Sequence, residues 1–176
     1  MNKLTKIALA IILPTTLALT GCAVHTTSAD PSAAVATSQP SSATPNYLKS
    51  FGDVITWKDG LSVSVSAPTP YTPSESAAGA VAGQPNLQFT VLLTNNSKVV
   101  VKPIGYPNAT SGGQSASSIV DFGANVGNTP ADVNVLPGQS LQWIEAFSVI
   151  DPTDITFTYS PGFEYKDAIF TTQAVK

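Results

Sequence analysis

Arginine is absent: the eight basic residues among the 176 are all lysines. Without Arg, the chain lacks the side chain best suited to bidentate phosphate and guanine contacts, which argues against nucleic acid as a partner. Cysteine and histidine each occur once. One Cys excludes an internal disulfide framework and any zinc or iron–sulfur site built on Cys. The single His, His25, sits in a stretch of small polar residues. A Ser–His–Asp triad needs an imidazole held rigidly against its serine, so none is expected. Methionine is limited to Met1, which removes a His- or thioether-rich copper, zinc or non-haem iron site as well. Gly112-Gly113 lacks the Lys-Ser/Thr of a phosphate loop and reads as a turn. No cofactor is expected. Charged residues make up only 11% of the chain, and its length suits one domain.

What is present begins with an export signal. Lys3 and Lys6 precede an apolar run at 7–19 that is interrupted by Pro14. The run is too short and too broken for a membrane span of ~20 apolar residues. It ends in Leu19-Thr20-Gly21-Cys22, which resembles the lipobox of bacterial lipoproteins. In that family a diacylglyceryl thioether forms on the Cys and the signal is cut before it. The resemblance implies lipid attachment at Cys22 and a membrane-anchored, extracytoplasmic chain. Loss of the signal leaves six Lys against eleven acidic residues, a formal net charge of −5. Such a chain gains nothing overall from an anionic bilayer, so the acyl chains, at ~0.8 kcal/mol per buried CH₂, must do the anchoring.

Eighteen of the 24 residues at 23–46 are Ala, Ser, Thr or Pro. Such a segment cannot bury enough surface to offset its ordering entropy and is expected to be a disordered tether. As a flexible coil it spans ~27 Å r.m.s.. Its composition also matches glycosylated stalks of secreted proteins. The expected organisation is a signal peptide at 1–21, the lipidated Cys and tether at 22–50, and one folded domain at 51–173.

From Phe51 onward the sequence alternates. Val54-Ile55-Thr56-Trp57 and Leu61-Ser62-Val63-Ser64-Val65 flank Asp59-Gly60, a hairpin signal for a primed turn. Further runs lie at 87–94, 99–101, 118–122, 133–136, 141–149 (the longest), 155–159 and 165–171. Pro137-Gly138 and 151–154 read as turns between them. Eight or nine short strands predict an all-β, two-sheet antiparallel sandwich. Trp57, Phe89, Trp143, Phe147 and Phe157 fall on alternating runs and are predicted core residues. The connection at 68–86 is long. Thr72-Pro73-Ser74-Glu75 reads as a capping box opening a short helix over 74–82. The connection is expected to cover a sheet edge rather than to bind a partner.

These runs resemble the immunoglobulin-like domain of unknown function found in many Gram-positive, especially actinobacterial, lipoproteins. They are also similar to secreted immunogenic proteins of mycobacteria. Trp57-Lys58-Asp59-Gly60-Leu61, Tyr71-Thr72-Pro73-Ser74, the Phe89-to-Ser97 run and Leu136-Pro137-Gly138 carry the resemblance. It implies an extracytoplasmic immunoglobulin-like fold and leaves the activity open.

Two carboxylate readings stand beside this. Glu145 shares a face with Leu141, Trp143, Phe147 and Val149. It is either an acid of raised pKa, as in glycoside hydrolases, or a paired structural residue. Asp121, Asn125, Asn128 and Asp132 offer hard oxygen ligands for Ca²⁺ or, more simply, belong to turns. Tyr71, Tyr106 and Phe163 lie beside Pro or Gly in connections. They serve as exposed contacts for sugars or protein, or cap the sandwich ends. The function expected is a lipid-anchored, non-catalytic interaction module binding an envelope protein or wall polymer through loops at one end. An envelope spacer is the alternative, and a carboxylate-based wall hydrolase a third reading.

Overall fold

The computed structural model describes residues 46–128 and 133–175. The signal segment, the lipobox with Cys22, the tether to residue 45 and Asp132 lie outside the described residues. Within them the period-2 alternation becomes two packed sheets. One contains, in spatial order, β1 (Leu48–Ser50), β11 (Ala168–Thr171), β10 (Ile155–Tyr159), β6 (Asn108–Ser111) and β7 (Gln114–Ser115). The other runs β2 (Val54–Thr56), β3 (Leu61–Val65), β5 (Asn86–Asn95), β9 (Ser140–Ser148) and β8 (Ser117–Ile119), with β4 (Thr69–Pro70) also on β5. Every pairing is antiparallel except β1 with β11. The chain is an immunoglobulin-like two-sheet sandwich.

Its spine is the β5–β9 ladder, paired from Asn86 with Ser148 to Thr94 with Ser140. In β5, Leu87, Phe89, Val91 and Leu93 are buried, and the residues between them are more exposed. Phe89 and Phe147 from this sheet meet Phe157 from the other at centroid distances of 5.2 and 6.0 Å, and Phe51 closes on Phe89 at 5.5 Å. Tilted and edge-on contacts of this kind add to the transfer free energy of burying the rings. Trp57, Trp143 and the predicted Phe residues are all in the core.

Several local readings are corrected. The 57–60 turn is not primed: Gly60 has φ +99°, whereas Asp59 is not in the left-handed region. Gly60 N–H donates to the Trp57 carbonyl and Trp57 N–H to that of Leu61, a type I turn closed by a glycine bulge. Leu48–Ser50, inside the segment assigned to the tether, form a strand because they gain a ladder against β11. In the 99–101 run only Val101 pairs, with Val135. The Asn95 amide binds the Val99 and Val135 carbonyls (both 2.8 Å), and its oxygen accepts from Ser97, so the chain folds back instead of extending. β5, not β9, is the longest strand.

No helix forms over 74–82. Ser74 turns its N–H and hydroxyl to Asp121, and Ala78 bridges to Val120. Those tertiary bonds outcompete a short helix burdened by its nucleation cost. The 68–86 connection thus lies along the β8 edge, as expected of a cover. It helps to enclose a small second core of Ile119, Val126 and Ala146 on the outer face of the sheet.

Phe89 touches rings from both sheets, so Phe89→Ala is expected to lower unfolding free energy by about 3–5 kcal/mol. Denaturant unfolding followed by tryptophan fluorescence measures this; a cost comparable to a surface substitution would contradict the packing described.

Candidate functional site

Strand polarity gathers five parts of the chain at one end of the sandwich. They are the start of β1, the 57–60 turn, and segments 96–107, 133–139 and 160–167. Thirteen large hydrophobic residues are exposed among those described, and seven fall in the last three segments: Val99, Val100, Ile104, Tyr106, Val133, Leu136 and Phe163. Tyr106 is 71% exposed and Phe163 97%.

The backbone holds these side chains in place. Ile104 N–H donates to the Pro161 carbonyl (3.0 Å), docking one loop on the other. At Gly105 a Cβ would stand 1.7 Å from the Ser160 oxygen, so only glycine permits the approach. Ser160 Oγ donates to Gly162 and Tyr165 carbonyls, fixing the bend that presents Phe163. Between the loops runs a groove of about 330 Å³ lined by Ile104, Tyr106, Asn108, Phe163, Tyr165 and Asp167 among others. Tyr165 also borders a neighbouring groove of about 360 Å³, with Tyr47, Trp57, Lys58, Asp59 and Lys166. Trp57 Nε1–H donates to the Lys166 carbonyl (2.9 Å), and the Tyr165 hydroxyl donates to Asp59 (2.8 Å). These bonds tie the hairpin to the 160–167 segment. Burial, then the Asp59 hydrogen bond and charge, raise the Tyr165 pKa to about 12.

Of the three aromatics singled out by sequence, Tyr106 and Phe163 meet at this groove and Tyr71 does not. The Tyr71 hydroxyl donates to Asp121 Oδ2 (2.8 Å), which also accepts from Ser74 N–H, while Oδ1 accepts from Ser74 Oγ (2.9 Å). Asp121 is fully buried. The Ser74 backbone bond first, then Tyr71, hold its carboxyl below the ordinary range, and Tyr71 itself is raised to about 12 by burial and Asp121. Of the four residues offered for Ca²⁺, Asp132 lies outside the described residues. The Asp121 carboxylate is engaged as a staple for the long connection. Asn125, at φ 55°, accepts from Asn128 through its side chain (3.4 Å). No group of three His, Cys, Asp or Glu gathers among the described residues.

Glu145 is 2% exposed, inside the core, and its Oε1 accepts from Trp143 Nε1–H at 2.8 Å. It lines neither groove. The Tyr159 hydroxyl is buried without a hydrogen-bond partner; burial and then the Glu145 charge raise its pKa. Sequence reasoning overlooked Ile104, Tyr165 and Asp59. For Ile104 the signal was an apolar residue between Pro103 and Gly105, a poor strand position.

No family model and no curated protein matches the chain. Solved structures do share its architecture. The YjhA protein of Bacillus subtilis aligns over 70% of this chain and 98% of its own, at 10% identity and a TM-score of 0.54. The candidate lipoprotein YcdA of the same organism aligns over 64% and 36%, at 15% identity and 0.52. The secreted protein MPT63 of Mycobacterium tuberculosis aligns over 74% and 99%, at 20% identity and 0.51. At such identities the likeness establishes the β-sandwich fold and nothing finer.

The pKa directions set the pH limits of stability. Asp121 and Asp151 are depressed from 3.8, so their stabilisation is present above that value and lost as pH falls through the lower folded values. Tyr71 and Tyr165 are raised from 10.0 to about 12, so theirs is present below pH 10 and lost between there and 12. Thermal melts across pH are expected to show both declines. Asp121→Asn should melt lower at neutral pH and lose part of the acid decline. An unchanged melting temperature at neutral pH would contradict the staple.

Proposed function

We propose that the chain is a lipid-anchored, extracytoplasmic, non-catalytic interaction module whose contact face is the loop end carrying Tyr106 and Phe163. The observation that carries this reading is the gathering of exposed apolar side chains there. A spacer has no use for such a face, and apolar surface concentrated at one site favours association. The anchoring part rests on the Leu19-Thr20-Gly21-Cys22 motif and its single thiol. Extracytoplasmic placement accords with the secreted and candidate-lipoprotein neighbours. The non-catalytic part is supported by what the carboxylates do: Asp121 pins a loop, and Glu145 sits in the core bound by Trp143.

Two measurements test this. In a Gram-positive host fed an alkyne fatty acid, the wild-type chain should incorporate label and Cys22→Ala none; labelling of the variant, or of neither, would sink the anchoring. Separately, the chain from residue 22 with Cys22→Ser should be retained on isolated envelopes containing membrane and wall. Tyr106→Ala/Phe163→Ala should abolish retention while changing stability by only about 0.5 kcal/mol per exposed site. Undiminished retention would refute the contact face.

A further inference from the structure

We infer that the loop end is a membrane-docking face. It seats on an anionic phospholipid surface, with Phe163, Tyr106 and Ile104 in the interface and Lys58, Lys98 and Lys166 over the headgroups. The inference rests on the contact-face reading above and names the partner.

The first observation is where the chain leaves the domain. β1 begins at Leu48, paired with Ile169 at the start of β11, and Tyr47 borders the groove beside Trp57 and Tyr165. The described chain therefore enters the domain at the end that carries the exposed apolar loops. A lipid on Cys22 holds this end within a tether's length of the bilayer. Tethering raises effective concentration, so a weak surface affinity suffices.

The second is the kind and spread of the side chains. Val99, Val100, Val133 and Leu136 are exposed yet line neither groove. Apolar groups distributed over three loops suit a broad, soft surface better than one ligand in one cleft. Exposed Phe and Tyr beside aliphatic residues are the composition that enters the headgroup boundary.

The third is charge. Among the described residues, Lys58, Lys98 and Lys166 are exposed at this end, with Lys102 also in its loops, against Asp59, Glu164 and Asp167. The far end carries Asp53, Asp151 and Asp154, and the one lysine of β1, Lys49, lies between the two ends. A chain acidic overall is thus polarised along its axis. An anionic surface repels the far end and accepts the loop end, which sets orientation as well as attraction.

The test uses the chain from residue 22 with Cys22→Ser, so its outcome does not depend on whether cells acylate Cys22. Co-sedimentation with phosphatidylcholine vesicles should rise when phosphatidylglycerol is included and fall with salt. Lys58→Gln and Lys166→Gln should each weaken binding about fivefold, and Tyr106→Ser/Phe163→Ser about tenfold or more. In a second format Cys22 is retained and coupled to a maleimide lipid in the same vesicles. There Phe163→Trp fluorescence should be quenched by brominated acyl chains, and that of Thr153→Trp, at the far end, should not. Equal or absent quenching at the two positions overturns the inference. So does retention on envelopes that survives removal of phospholipid and is lost with Tyr106 and Phe163, since the contact face would then stand with a wall polymer or protein as its partner.

Discussion

The meeting of Phe89 with Phe157, ring against ring at 5.2 Å across the two sheets, is the contact on which the rest of the architecture depends. Phe147 and Phe51 complete it, at 6.1 and 5.5 Å from Phe89. Close packing of the inner faces fixes sheet spacing and commits the alternating residues of β5, β9 and β10 to the core. It also settles the fate of the end loops. With the interior filled, Val101 enters the core while Val99, Val100, Ile104, Tyr106 and Phe163 stay exposed, and hydrogen bonds such as Ile104 to Pro161 hold their loops in place.

The sandwich manages its polar interior with similar economy. Asn95 satisfies three backbone groups from two segments at the loop end, and Asp121 pins the long connection at its edge. These side chains take the place of helices and disulfides, which the sequence has little means to build. Each is buried and bonded on more than one side, so the loops they hold are positioned rather than merely attached.

Much of this was readable from local pattern. Leu61, Val63 and Val65 alternate with serines and turn to the core as the alternation predicts, although Ser62 between them is buried as well, and Tyr106 and Phe163, lodged beside Pro and Gly, lie in exposed loops. What local pattern could not show were contacts between distant residues. Ser74 and Tyr71 find Asp121 at separations of 47 and 50 residues, and that pairing converted a promising capping box into an irregular strap. It also removed Tyr71 from the exposed aromatics and gave the Asp121 carboxylate a structural role. Leu48–Ser50 looked like tether because a three-residue strand has no periodicity of its own; only the partner at the C-terminal end of the domain makes it one. The polarity of the lysines depends on topology alone, since Lys58, Lys98 and Lys166 are scattered in sequence.

One end of the sandwich is proposed as its contact face. Amide hydrogen exchange tests it most directly, comparing the full protein bound to native membranes with the same protein released into detergent. Slower exchange in 99–106 and 162–166 on membranes, with 112–113 and 151–154 unchanged, is the predicted result. Equal exchange at both ends, or protection confined to the aspartate-bearing end, would contradict it.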